Sequence, residues 1–140
     1  RHFGATHTVN AKDDPVAAVR ELSGGWGADY SFEVTGKTAV MEQAYAATRR
    51  GGTVCIIGIG SYTESFPLNA CAFSSDSKTV VGCMYGNANF KVDIPNLLDL
   101  YLAKRLDLDA MISRTYTIDE APQAFEDLQS GRNARGVILF

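Results

Sequence analysis

The sequence predicts an α/β fold built on a mostly parallel, doubly wound sheet. Short apolar runs alternate with amphipathic segments of helical period along all 140 residues. The two best-defined runs, Ala28-Asp-Tyr-Ser-Phe-Glu-Val-Thr-Gly36 and Gly51-Gly-Thr-Val-Cys-Ile-Ile-Gly-Ile-Gly60, each end in glycine and have a helical pattern between them. Strands joined by helices of this length need crossover connections, which make neighbouring strands parallel. In open α/β sheets, ligands sit at the carboxyl ends of such strands, so the two glycine-ended junctions are candidate pocket walls.

The elements follow in order. Phe3 to Asn10 reads as a short strand, and Asp13-Asp14-Pro15 supplies a cap and a first-turn proline for a helix whose Val16, Val19 and Leu22 share one face. Ser23-Gly24-Gly25 ends that helix, and the strand Ala28 to Val34 follows. A second helix is expected from about Thr38 to Arg49, with Val40, Met41, Ala44 and Tyr45 as its core-packing stripe. Gly51-Gly52 is expected to stop it before the strand Thr53 to Ile59.

Ser61 to Lys78 is rich in Ser, Asn and Asp and reads as a long connection with one helical turn near Leu68 to Phe73. Thr79 to Tyr85 is a further strand. Val92 to Lys104 carries Ile94, Leu97, Leu98, Tyr101 and Leu102 at helical spacing, with Asp93 and Pro95 in its first turn. Ile112 to Tyr116 reads as extended. Thr117-Ile-Asp-Glu opens a helix through Leu128, and Ser130-Gly131 stops it before a last strand, Gly136 to Phe140.

Composition narrows the function classes. An apolar content of 46% supports one ordinary domain, while a net charge of −3 provides no footprint for nucleic acid. The longest apolar stretch, Val54 to Ile59, is too short to span a bilayer, and no signal-peptide pattern opens the chain, so a cytoplasmic address is the default expectation. Cys55, Cys71 and Cys83 are odd in number and widely spaced, which fits reduced thiols and no zinc knuckle. His2 and His7 lack metal-ligand neighbours, and no metal is expected in this chain. Glu33 and Asp29, four apart on one strand face, are expected to be solvated or capping groups.

A dinucleotide site also needs a glycine-rich turn after its first strand and an acidic residue about 20 residues on. Neither occurs here. The chain therefore looks like half a cofactor domain.

Several motifs then align in order: FGAT-x-x-VN at Phe3 to Asn10, GGxGADYSFEVTG at Gly24 to Gly36, GGT-x-C-x-IG at Gly51 to Gly58, GCMYG at Gly82 to Gly86, and LQSGRNARGVILF at the C-terminus. Together they resemble the zinc-dependent medium-chain alcohol dehydrogenases over essentially the whole chain. Residues Asn89 to Ser113 are most similar to the bacterial class near the glutathione- and mycothiol-linked formaldehyde dehydrogenases. The resemblance implies that residues 1–140 are the later part of an NAD- or NADP-binding domain, a partial Rossmann-like parallel sheet lacking its first two strands, with the catalytic zinc domain absent.

The resemblance also implies site residues. Val34, Thr35 and Gly36 match the loop over the adenosine half, with Lys37 in reach of adenine or phosphate; an ordinary strand-exit turn is the alternative. Ile57, Gly58 and Ile59 match the turn against the nicotinamide ribose, unless Gly58 merely ends its strand. Cys83, Met84 and Tyr85 match positions whose backbone holds the carboxamide, with core and dimer packing as the alternative. Arg135 matches the arginine that reaches the pyrophosphate, while Arg132 is expected to be a solvated charge.

With the zinc ligands elsewhere, the chain alone is expected to be inactive, although the full enzyme would transfer hydride between an alcohol or aldehyde and the nicotinamide. In the strand order 3-2-1-4-5-6, the strand Thr6 to Asn10 loses its native neighbours. It must then pair with the next strand, exchange between chains or stay disordered. Lys78 to Tyr85 matches the segment through which a twofold homodimer is expected. A start at Arg1 without methionine fits an excised or engineered domain. The alternatives are a zinc-free, quinone-oxidoreductase-like member of the same superfamily and a non-catalytic dimerisation or interaction module.

Overall fold

The computed structural model describes residues 2–140, so the expectation attached to Arg1 lies outside them. The chain divides into two compact units, one ending at Asn87 and one from Ala88 to Phe140.

In the first unit, α1 (Pro15–Leu22) starts where Asp14 accepts a 3.0 Å hydrogen bond from the Ala17 N–H, with Pro15 at the position that needs no donor. Next come β1 (Ala28–Glu33), α2 (Thr38–Ala47), β2 (Thr48–Ile56), α3 (Ala70–Asp76) and β3 (Thr79–Gly82). The three strands form one parallel sheet in the order β1-β2-β3, each pair bridged by a helix. α2 packs on α1 and on both β1 and β2, and Val54, Met41 and Ala47 are the buried apolar centre. Mixed α/β structure with parallel strands is thus what the apolar periodicity predicted.

The strand expected at Thr6 to Asn10 is not formed. Residues 2–13 are exposed turns and irregular chain, and β1 pairs with β2 alone. An extended segment gains a ladder only from a neighbour, and among the described residues none lies alongside. The expected stop at Gly51-Gly52 is also displaced, because α2 already ends at Ala47 and both glycines lie inside β2. The pairing shifts register there, from Ala28 opposite Thr48 to Tyr30 opposite Thr53.

What ends α2 is side-chain capping from three other places. Its last carbonyls receive the Thr48 hydroxyl (to Ala44, 2.7 Å), the Lys78 ammonium (to Tyr45, 2.8 Å) and the Arg20 guanidinium (to Ala46, 3.0 Å). Lys78 is buried beneath the Tyr45 ring, 4.3 Å from its centroid, with Asp76 3.7 Å away. Burial pushes its ammonium below the usual lysine value, against the upward pull of Asp76.

The second unit contains α4 (Phe90–Leu102), β4 (Arg114–Thr117), α5 (Ala121–Gln129) and β5 (Gly136–Leu139), with β4 and β5 paired in parallel around α5. Pro95 falls at the sixth residue of α4, past the first turn, because the helix starts at Phe90. Thr117 and Glu120 form a reciprocal capping box, as their spacing predicted. A 3-10 turn, Ile118–Glu120, intervenes before α5 proper.

This unit is held by Asp127, 2% exposed. Its carboxylate accepts from the Tyr116 hydroxyl (2.8 Å), Gln123 (2.9 Å) and Arg114 (3.0 Å), with Arg132 at 3.3 Å. Hydrogen bonds from Tyr116 and Gln123 hold it below the usual aspartate value despite burial. Arg132, expected as a solvated charge, is ion-paired to Glu126 and Asp127.

Candidate functional site

All three strands of the first sheet run the same way, so their exits lie along one edge. Those exits are the segments singled out from the sequence: Val34 to Lys37 after β1, Ile57 to Ile59 after β2, and Cys83 to Tyr85 after β3. Arg135 belongs to the other unit, where its N–H and carbonyl bond the Ser113 side chain just before β4.

The first two turns interlock. The Glu33 carbonyl accepts from the Ile57 N–H (2.8 Å) and the Gly58 N–H (3.1 Å), which draws the β2 exit onto β1. A Cβ on Gly58 would run into the Gly36 backbone nitrogen and lie 2.7 Å from Glu33 Oε2. A Cβ on Gly36, whose φ is +75°, would meet the Ile59 carbonyl group. The space at Gly58 is thus occupied by the neighbouring turn, so this glycine does more than end its strand.

Glu33 anchors the first turn from inside. The side chain is 1% exposed, so of the two roles expected for it, solvated or capping, the solvated one does not hold. Its carboxylate accepts from the Thr35 N–H (2.6 Å), the Thr35 hydroxyl and the Gly36 N–H (3.1 Å to either oxygen). Burial would push this carboxyl up. The Thr35 hydroxyl and the amides of Thr35, Gly36 and Lys37 outweigh it and hold the group below the usual glutamate value. Asp29, its supposed strand-face companion, instead pairs with Arg49 on the surface.

Apolar side chains reach the rim beside exposed Thr35 and Lys37: Val34 is 65% exposed, Ile59 74% and Met84 59%. The third turn is unusual in its backbone. Tyr85, Gly86 and Asn87 all have φ between +48° and +73°, and the Tyr85 side chain is 91% exposed. Asn87 stabilises the turn, its amide donating to the Gly82 carbonyl (3.2 Å) and accepting from the Met84 N–H (3.2 Å). The Cys83 N–H is also engaged, to the Ile56 carbonyl at 2.8 Å.

The sequence reading missed Asn87, and it named Glu33 without placing it at the turn. Only the Gly86-Asn87 pair, a left-handed-turn signal, was available for Asn87. The cysteines are free, and the half-buried Cys55 thiol is pushed up by burial and then by its neighbour Cys83. Among the described residues no three His, Cys, Asp or Glu side chains are grouped to hold a metal, and no helix is long and apolar enough to cross a membrane.

Residues 1–103 match the family described as zinc-binding dehydrogenase. The chain is 34% identical over 140 residues to the NDMA-dependent alcohol dehydrogenase of Amycolatopsis methanolica, covering 98% of this chain and 38% of that protein. It is 31% identical over 150 residues to the S-(hydroxymethyl)glutathione dehydrogenase of Paracoccus denitrificans, covering 99% and 39%. Among solved structures, benzyl alcohol dehydrogenase from Acinetobacter calcoaceticus matches with a TM-score of 0.91 at 28% identity, covering 98% of this chain and 38% of that one. The chain spans little more than a third of the length of these relatives.

Proposed function

The chain belongs to the zinc-binding dehydrogenase family, and on that footing we propose that it supplies the later half of an NAD or NADP site in an alcohol dehydrogenase acting on alcohols or aldehydes. The observation that carries this reading is the alignment of three strand-exit turns on one edge of a parallel sheet, two of them interlocked through Gly36 and Gly58. The residues present fit such a cofactor: an apolar rim at Val34 and Ile59 suits rings, and the interlocked backbone offers a rigid floor.

In this reading Val34, Thr35, Gly36 and Lys37 take the adenosine half, and Ile57, Gly58 and Ile59 pack against the nicotinamide ribose. With the Cys83 and Met84 N–H groups already engaged, the carboxamide falls to the remaining main-chain groups of the Cys83 to Tyr85 turn. For Arg135, which belongs to the other unit, the pyrophosphate role rests on the resemblance alone, and a permanent charge with a forked donor geometry suits it. A nicotinamide held there would supply hydride exchange with the substrate carbon. These residues bind and orient it. Alone, the chain is expected to bind cofactor without turning over alcohol.

Titration of the chain with NADH, followed by nicotinamide fluorescence, tests this reading. Saturable binding that weakens in Arg135→Ala is the expected result, and no binding at millimolar NADH would refute it. The outer edge of β3, which pairs with β2 alone, is the proposed homodimer contact within Lys78 to Tyr85.

A further inference from the structure

We infer that Glu33 is a positioning residue for the adenosine half of the cofactor, holding the Val34 to Lys37 turn in its binding shape without touching the ligand. This rests on the reading of that turn as an adenosine site. A carboxylate is an expensive group to bury, and one that is 1% exposed persists only where donors replace its water. Here every donor comes from the turn itself: the Thr35 N–H, the Thr35 hydroxyl and the Gly36 N–H.

The same residue's main-chain carbonyl takes the Ile57 and Gly58 N–H groups, so side chain and backbone of Glu33 hold two turns at once. Gly36 has a φ of +75° and lies in contact with Ile59, leaving the turn little room to settle elsewhere if its anchor goes. A glutamine has the same shape. It would present an amide N–H to at least one of the N–H groups that now meet a carboxylate oxygen, leaving a buried donor unmatched. The consequence is specific to the turn, because the other bonds of the sheet are untouched.

The test titrates the 140-residue chain and its Glu33→Gln variant with three ligands: ADP-ribose, NADH and reduced nicotinamide mononucleotide. The variant is expected to bind ADP-ribose and NADH about tenfold more weakly, the worth of one charge-assisted hydrogen bond, while its affinity for the mononucleotide stays within about twofold. Equal weakening toward all three ligands would reduce Glu33 to a general stabiliser and overturn the inference. Unchanged ADP-ribose affinity would also overturn it while leaving the cofactor reading intact. Failure of the unmodified chain to bind ADP-ribose or NADH would remove both.

A second measurement needs no variant. In the unmodified chain, the amide resonances of Thr35 and Gly36 are expected to shift on adding ADP-ribose and to stay in place with the mononucleotide. Silence of both amides at saturating ADP-ribose would refute the positioning role even if Glu33→Gln does not fold.

Discussion

At the residue scale, Gly36 and Gly58 show how a sequence signal can be right in place and incomplete in reason. Both glycines stood out because they end apolar runs. A strand-exit glycine reads alike whether it faces a ligand, solvent or another turn, and only the folded chain reveals that these two face each other. Gly58→Ala would force a methyl group against the Gly36 backbone, which cannot swing aside as a side-chain end can, and against the Glu33 carboxylate. We expect it to cost about 3 kcal/mol of stability, measured by urea unfolding; a loss below about 1 kcal/mol would mean that the two turns separate easily. Glu33 was read only in part for a related reason. Its neighbours in sequence place it on a strand face beside Asp29, and nothing local states that the next three residues fold back to surround its carboxylate.

At the element scale, starts were more legible than stops. The Asp14-Pro15 opening of α1 and the Thr117 to Glu120 box before α5 are local devices, complete within four residues. The end of α2 is not local: its caps arrive from Arg20 and Lys78, 26 and 33 residues from the carbonyls they meet, with only Thr48 close by. A glycine pair was therefore mistaken for the stop when it belongs to an irregular stretch of β2. The Thr48 hydroxyl bridges the Ala44 carbonyl and Ser31 while 2% exposed. Thr48→Val keeps the branched shape and removes both bonds, so a loss of about 1–2 kcal/mol is expected in thermal unfolding. An unchanged midpoint would show that the backbone N–H of Thr48, which also donates to Ala44, suffices to end the helix.

At the scale of the whole molecule, the parallel sheet and the alternation of strands and helices were readable because periodicity survives in any parallel α/β chain. The fate of Thr6 to Asn10 was not, since strand formation depends on a partner rather than on the segment itself. The sheet has two outer strands, β1 and β3, each with a row of backbone groups open to pairing. If β3 joins two copies, sedimentation of the purified chain should show a dimer that dissociates on dilution, and a lysine in place of Val81 should favour the monomer. A chain that stays monomeric at high concentration would rule out that contact.

The remote capping of α2 also bears on how the protein is made. While the chain leaves the ribosome, α2 is complete some thirty residues before Lys78 emerges, so its carboxyl end has the Arg20 and Thr48 caps in hand but must wait for the third, a cation that has not yet been synthesised. The final closure of the first unit is therefore timed by the appearance of β3, and a nascent chain halted before residue 78 would carry a helix with an unfinished end.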